Sequence, residues 1–259
     1  MPVLTGLEEM AADGCLVKPL LHQFIMDPGA DVQLNLLVQR PMPRVPDGRF
    51  HASQHPLASE RDLYLWMTGK SEPEEMGYVA RSSVMFGSLA HAMFEAFLDW
   101  TGFSVPLPQG DCPACGRPRR PLRARPSLKY CTEHGYVHDE TRSSCHLDAI
   151  LDFSGAPRPS LLTATHGFDF KTIRTMGLKG VKDMDLDCFR EKWPGYWAQG
   201  QECMRISGLR QYVFLFFTLG NPWDTREFHI PFDPEFAAAT HAKYLRVLYH
   251  RDKQIPIVA

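Results

Sequence analysis

Alternating polar and apolar residues in the middle of this chain limit its fold more than any other feature. In residues 145–153 apolar side chains recur at every second position, which is typical of a half-buried strand. Leu147 and Ala149 are predicted to face the core together, whereas His146 and Asp148 face the opposite side. One face of this strand therefore carries ionisable groups, while the other face packs against the core.

A second strand is predicted at residues 160–173, after a turn at residues 154–159. Its alternation places Asp169 and Lys171 on one face. Because two acidic side chains that face the same way on neighbouring strands can hold a hard divalent cation, Asp148 and Asp169 form a candidate metal site. The ammonium of Lys171 can position an attacking water or stabilise charge that develops on a phosphate. This combination predicts phosphodiester hydrolysis.

Helices are predicted on both sides of this hairpin in the sequence. Residues 82–100 show apolar residues at helical spacing, and His91 lies on the polar edge of that helix. Pro194 suits the first turn of a helix over residues 195–207 that carries Gln199, and a buried strand follows at residues 211–218. Three further elements are predicted, a helix at 59–68, a short edge strand at 227–232 and a terminal helix from 233 to about 252. With 259 residues, of which 44% are hydrophobic, the chain can bury one sizeable core. We expect an α/β fold with a mixed central sheet flanked by helices.

Two short-spaced ligand pairs lie between the predicted His91 helix and the predicted strands. Cys112 and Cys115 form the first pair, and Cys131 and His134 form the second, with fifteen residues between the pairs. Each short turn lets two ligands converge, so the spacing predicts a tetrahedral, structural Zn²⁺ site. Three other side chains could replace His134 as the fourth ligand, namely Cys145, His138 and His146. The surrounding residues 105–138 contain too few apolar side chains to fold unaided, so metal binding would supply much of the folding free energy of this segment.

The segment between the ligand pairs is strongly basic. From Cys112 to His134 it contains six cations against one acid, Glu133, although the whole chain has a net charge of −2. The cations are Arg117, Arg119, Arg120, Arg123, Arg125 and Lys129. A basic patch on an acidic body is where a polyanion would bind, so we predict that these residues bind DNA.

Three classes of protein are not indicated. No stretch approaches the roughly 18 consecutive apolar residues of a membrane span. The first residues contain neither the basic nor the apolar region of a secretion signal, so a cytoplasmic location is expected. A phosphate-binding loop needs a glycine five positions before its Gly-Lys pair, but Tyr64 stands at that distance before Gly69 and Lys70. No ATP-driven motor is therefore predicted.

Four motifs in this order resemble those of the PD-(D/E)XK nuclease superfamily, and within it the RecB-type exonucleases, including phage and CRISPR-associated members. The matching segments are Gly87 to Glu95 with His91, His146-Leu-Asp148, Asp169-Phe-Lys171 and Trp197-Ala-Gln199. A stretch at residues 51–64 with Ser59 and Arg61 is similar to the helix that precedes the first motif. The resemblance covers roughly residues 50–232.

The resemblance implies a restriction-endonuclease-like core that hydrolyses DNA with Mg²⁺ or Mn²⁺. It implies that His91, Asp148 and Asp169 bind the cation, helped by the backbone carbonyl of Phe170. Lys171 would act on the hydrolytic water. Gln199, the fifth member of the implied catalytic set, would orient the substrate or Lys171.

The sequence departs from the family pattern in two places. Cys203 stands where the family usually has Tyr, four residues after the motif Gln. Ser59 stands where several relatives have the first cysteine of a 4Fe-4S cluster, and no cysteine follows Cys203. No cluster of that type is expected.

These observations divide the chain into an N-terminal extension of unknown role, residues 1–49, and a nuclease domain, residues 50–259. A small zinc-binding, arginine-rich module is inserted at residues 105–138. The expected activity is that of a DNA exonuclease acting on single strands or free ends in phage or bacterial recombination or repair, with a helicase or recombination partner. The alternatives are a catalytically inactive, zinc-stabilised DNA-binding protein and a nuclease of CRISPR adaptation.

Overall fold

Strands and helices follow one another along the chain in the computed structural model, which describes residues 15, 17–18, 46–71, 87, 90–91, 94, 97–98, 101–120, 130–154, 165–173, 175–218 and 221–257. The strands are β1 (Phe50–His51), β2 (His134–His138), β3 (Ser143–Leu147), β4 (Ala149–Asp152), β5 (Thr165–Ile173), β6 (Gln211–Thr218) and β7 (Asn221–Pro231). The helices are α1 (Glu60–Met67), α2 (Leu186–Lys192), α3 (Pro194–Ser207) and α4 (Pro234–Asp252). A further helix, called the His91 helix below, includes the helical residues Gly87, Ala90, His91, Phe94, Phe97, Leu98 and Thr101.

The strands form two mixed sheets where the sequence predicted a single central one. One sheet has the order β1-β3-β2 and the other has the order β4-β5-β6-β7. β1 runs parallel to β3 and β5 runs parallel to β6, whereas the remaining neighbours are antiparallel. The predicted strand at 145–153 is divided between the two sheets, because β3 ends at Leu147 and β4 begins at Ala149. Asp148 is therefore the junction between the sheets.

The four-stranded sheet is covered on both faces. Phe94 and Phe97 of the His91 helix pack against one face, and Phe189 of α2 packs against the other. β6 is buried from Tyr212 to Thr218, as expected of a central strand with both faces covered. The prediction that Leu147 and Ala149 face the same core is wrong, since these side chains belong to different hydrophobic clusters. The break at Asp148 restarts the alternation.

Short-range capping explains where the helices begin and end. The carboxylate of Asp233 accepts hydrogen bonds from the N–H groups of Glu235 and Phe236 at 3.1 and 3.0 Å, which caps α4. α3 ends at Ser207, and the next residue, Gly208, caps it with a φ of 79°, which glycine adopts without strain. In the described part of the chain, none of the helices combines the length and the apolar character that crossing a membrane requires.

The edge strand is longer than the sequence predicted. Residues 227–232 were expected to form it, but β7 pairs with β6 from Asn221 to Pro231. The predicted strand at 160–173 begins in the structure at Thr165, and residues 155–164 lie outside the described residues.

Part of the predicted N-terminal extension belongs to the main core. The side chain of Val17 is buried in the cluster beneath the His91 helix. The backbone N–H of Val17 donates to the buried Glu227 carboxylate at 2.9 and 3.0 Å, and that of Lys18 donates to it at 2.6 Å. Lys18 Nζ forms an ion pair with Asp183 at 2.6 Å. These contacts fix the segment against β7.

Gly167 of β5 provides a test of this packing. A Cβ at this position would lie 2.6 Å from the ring of Tyr212 and 2.9 Å from Leu147. We expect Gly167→Ala to lower the free energy of unfolding by about 1–3 kcal/mol, the usual cost of overpacking a core. Urea denaturation measures it. The control is Gly195→Ala, since a Cβ there meets nothing within 4 Å and no positive φ opposes it; equal stability of the two variants would contradict the packing.

Candidate active site

Five side chains that the sequence singled out lie together at the junction of the two sheets. Asp148 lies between β3 and β4, Asp169 and Lys171 lie on β5, and Gln199 lies on α3. The His91 helix brings His91 to the same cleft. Because Ala149 is paired with Phe168 in the β4–β5 register, the preceding Asp148 comes beside Asp169. The pairing of β4 with β5 therefore places the two aspartates next to each other, as predicted from the sequence.

Asp169 is at the centre of the hydrogen-bond network, and its side chain is only 2% exposed. Its Oδ2 accepts hydrogen bonds from Lys171 Nζ at 2.9 Å and from Gln199 Nε2 at 2.5 Å. Its Oδ1 accepts a longer hydrogen bond from the backbone N–H of Asp148 at 3.3 Å. Three elements thus converge on one carboxylate.

Asp148 connects this network to His91. The Oδ2 of Asp148 accepts a hydrogen bond from the backbone N–H of Phe170 at 2.7 Å, and His91 Nδ1 lies 3.6 Å from the same oxygen. The His91 ring packs edge-on against Phe170 at a centroid distance of 5.4 Å. Phe170 thus holds both side chains in place through its backbone and its ring.

The electrostatic environment of Lys171, beside Asp169, favours the charged form of the lysine. Burial opposes the charge of Lys171, but the carboxylates of Asp169 and Asp148 outweigh it and raise the pKa of Lys171 above its usual value. Burial raises the pKa of Asp169, as does the nearby charge of Asp148, and the Lys171 ammonium opposes that rise. Lys171 is therefore a cation that supports Asp169 rather than a base with a free lone pair.

The cleft above these residues has a volume of about 850 Å³. Arg49, His51 and Ser53, beside and within β1, line it, as do Arg117 and Glu133 of the inserted segment. Cys203 lines it too.

Glu133 is a residue of this cleft that the sequence analysis missed. Burial and the charge of Asp169 raise its pKa, whereas His91, Lys171 and Arg117 act in the opposite direction. A carboxylate that responds to these charges lies within electrostatic range of them. Glu133 stands out in the sequence as the only acid in a basic segment, but nothing local to it predicts that it reaches the cleft.

The predicted zinc ligands also converge, with one change. Ligand atoms of Cys112, Cys115, Cys131 and His146 all lie within 4.8 Å of one another, and Cys112 Sγ lies 3.5 Å from His146 Nε2. Three thiols and one imidazole form a donor set that suits a structural Zn²⁺ ion. Burial opposes ionisation of Cys115, but hydrogen bonds from the Arg117 backbone, His146 and Cys112 lower the pKa of this thiol to about 6.

His134 is not part of this cluster, although the sequence placed it there as the fourth ligand. Its Nε2 lies 3.1 Å from the carbonyl oxygen of Val105. In the β2–β3 register His146 is opposite Gly135, where a Cβ would collide with Cys112 Sγ. His146, one of the alternative ligands left open by the spacing, therefore takes the position beside the thiols.

The predicted DNA-binding cations occupy different surroundings. Arg117 lines the cleft, whereas Arg119 Nη2 donates to the carbonyl oxygen of Gly135 at 3.1 Å. The guanidinium of Arg120 lies 4.2 Å from the centroid of the Tyr130 ring. The other three, Arg123, Arg125 and Lys129, lie outside the described residues.

Comparisons with known proteins give weak likenesses only. No family model matches the chain, and no curated protein matches it. The alkaline exonuclease LHK-Exo from Laribacter hongkongensis is 13% identical with a TM-score of 0.45, over 81% of this chain and 91% of that one. LHK-Exo in complex with dAMP gives 13% and 0.46, over 80% and 90% of the two chains. SSO0001 gives 12% and 0.40, over 80% and 77%. Values in this range do not assign the chain to a family.

The choice between His146 and His134 as zinc ligand can be tested directly. We expect His146→Ala to lower zinc content to well below one ion per chain, because it removes a ligand from the thiol cluster. His134→Ala should retain zinc, since its ring contacts a backbone carbonyl instead. Zinc is measured by elemental analysis of the purified variants. Loss of zinc from His134→Ala alone would contradict the assignment.

Proposed function

We propose that this protein is a divalent-metal-dependent nuclease that hydrolyses phosphodiester bonds of DNA. The observation that carries this proposal is the joining of Asp148 and Asp169 with Lys171 and His91 at one open cleft. Two adjacent carboxylates and a charged lysine are the groups that this chemistry needs.

The donor atoms suit Mg²⁺ or Mn²⁺. His91, Asp148 and Asp169 would hold the ion together with the carbonyl oxygen of Phe170, as the resemblance implies. Carboxylate and carbonyl oxygens suit hard cations, and the imidazole also suits Mn²⁺. When bound, such an ion polarises a phosphate and lowers the pKa of a bound water.

The residues of the chain supply positioning and charge. Gln199 and Lys171 hold the Asp169 carboxylate by hydrogen bonds, so it cannot rotate away from Asp148. The Lys171 ammonium can orient the attacking water through its N–H groups and stabilise negative charge that develops on the phosphate. Because its pKa is raised, we assign no general-base role to Lys171.

The motif resemblance further suggests the kind of substrate. We propose exonucleolytic action on single strands or free DNA ends, in phage or bacterial recombination or repair, with a helicase or recombination partner. Arg117, in the wall of the cleft, would contact the phosphate backbone.

A second candidate is a zinc-stabilised DNA-binding protein without catalysis. It is favoured by one observation: Oδ2 of Asp169 already accepts hydrogen bonds from Lys171 and Gln199, which a cation would have to share. This candidate predicts DNA binding that is indifferent to Mg²⁺ and to Lys171.

Cleavage of end-labelled single-stranded and linear duplex DNA separates the two candidates. With Mn²⁺ or Mg²⁺ we expect degradation by the wild type, none with EDTA, and a decrease of more than about 100-fold in kcat for Lys171→Ala, because it removes a charge that stabilises the transition state. Asp169→Asn should act in the same way. Lys182→Ala, which alters an exposed lysine outside the cleft lining, is the control. Binding without metal-dependent cleavage by the wild type would favour the second candidate.

Glu133 adds a third carboxylate to the cleft, and we assign it to cation binding. It enters the site from the chain between Cys131 and β2, and Cys131 Sγ contacts its carbonyl oxygen at 3.5 Å. The zinc cluster would therefore fix the backbone from which this carboxylate projects.

Glu133→Gln tests that role without changing side-chain size. We expect half-maximal cleavage to require about 10-fold more Mn²⁺, in the range usual for loss of a supporting group at a metal site. Zinc content should stay at the wild-type value. Glu191→Gln, an exposed substitution on α2, is the matched control. An unchanged Mn²⁺ requirement in Glu133→Gln would remove Glu133 from the cation site and leave the nuclease proposal intact.

A further inference from the structure

A second group of metal-ligating side chains lies between the β2–β3 turn and the C-terminal helix α4. His138 ends β2, Glu140 lies in the turn, and His241 lies on α4. None of the three is among the residues that line the active-site cleft. One ligand atom from each lies within 4.8 Å of the other two, and His241 Nε2 is 3.6 Å from Glu140 Oε2.

We propose that His138, Glu140 and His241 form a binding site for a borderline divalent transition metal such as Zn²⁺ or Ni²⁺. Two imidazoles and one carboxylate make a three-residue donor set that these ions accept and that leaves further positions for water. Metal–ligand bonds of about 2.0–2.2 Å place two atoms that share an ion roughly 3–4 Å apart, so the 3.6 Å between His241 Nε2 and Glu140 Oε2 already suits a common ion. The Glu140 side chain is 63% exposed, so its rotation can adjust its approach to His138.

The surroundings of His138 orient its ring for such a role. Its Nδ1 lies 2.9 Å from Thr141 Oγ1, and that hydroxyl lies 2.8 Å from Ser143 Oγ. A metal-bound imidazole usually donates its other N–H to a fixed oxygen, which sets the tautomer and the ring orientation. The Thr141 backbone N–H also donates to Nδ1, at 3.4 Å, so binding of a cation through Nε2 requires the tautomer in which Nδ1 carries the proton and donates to Thr141 Oγ1.

The nearby guanidinium of Arg205 does not leave an uncompensated positive charge at the site. Arg205 Nη1 lies 3.4 Å from His241 Nδ1, but its Nε and Nη2 each donate to Glu202 at 2.8 Å. The Glu202 carboxylate balances Arg205. The Glu140 carboxylate is then available to balance a bound cation.

Such an ion would connect the β2–β3 turn to α4. The same hairpin carries His146 of the zinc cluster and leads to Asp148. Because the site is made from two distant parts of the chain, it exists in the folded protein only, and metal binding would stabilise the folded state by linkage.

The test is calorimetric titration with Ni²⁺ of the untagged full chain carrying one zinc ion per molecule. We expect the wild type to bind one more Ni²⁺ ion than His241→Ala and Glu140→Gln, with affinity in those variants lowered by more than about 100-fold, because removal of even an outer-shell partner costs roughly 10- to 100-fold. His250→Ala, on the same helix but outside the cluster, should bind as the wild type does. The melting temperature should rise with Ni²⁺ in the wild type and His250→Ala only.

Glu140→Gln guards against a trivial loss through unfolding, since it changes an exposed residue of the turn. Circular dichroism must show native structure in each variant. Ni²⁺ stoichiometry and affinity in natively folded Glu140→Gln and His241→Ala equal to those of the wild type would overturn the proposal. Because Asp169→Asn leaves this site intact, it should lose cleavage but keep the additional Ni²⁺ ion, which separates this proposal from the nuclease proposal.

Discussion

A carboxylate that is almost wholly removed from water must find compensating charge and hydrogen bonds inside the protein, because burying an uncompensated ion costs several kcal/mol. Asp169 is in this situation, and it is compensated by Lys171, Gln199 and the backbone N–H of Asp148. Lys171 comes from β5 itself, Gln199 from α3, and the N–H group from the junction between the two sheets. A single carboxylate thus links α3 and the junction between the sheets to β5 at the cleft.

The break at Asp148 gives this arrangement its second constraint. A continuous strand would have placed Leu147 and Ala149 on one face, but the chain changes sheets between them. As a result, His146 points to the thiol cluster two residues before Asp148 enters the active site. A slip of one residue in the β2–β3 register would reverse the faces of β3 and separate His146 from the thiols. The thiol–histidine cluster therefore depends on the β2–β3 register, whereas the candidate active site depends on the β4–β5 register that begins directly after Asp148.

Much of the fold could be predicted from periodicity, and the remainder depends on long-range pairing. Residues 211–218 form β6 as predicted, and the predicted helices at 195–207 and 233–252 agree with α3 and α4 to within a residue or two, because periodic burial and caps are local signals. The convergence of Asp148 and Asp169 followed from strand alternation. The choice of His146 over His134 did not, since it depends on which residue of β3 is opposite Gly135. Glu133 was missed for the same reason: no local pattern reports that its loop forms a wall of the cleft.

The inserted segment is better understood as part of the active site than as a separate basic arm. Among its cations, Arg119 donates a hydrogen bond to the carbonyl oxygen of Gly135, and Arg120 stacks on Tyr130. The count of basic residues therefore overstates the positive charge that faces the cleft. Apart from three histidines, the ionisable oxygen and nitrogen groups that line the cleft are four acids, Asp47, Glu133, Asp148 and Asp169, and three cations, Arg49, Arg117 and Lys171. This near balance gives a phosphate backbone little net attraction, and a divalent cation held by the carboxylates would add two positive charges. For the nuclease proposed above, both substrate binding and hydrolysis would therefore be expected to depend on the metal.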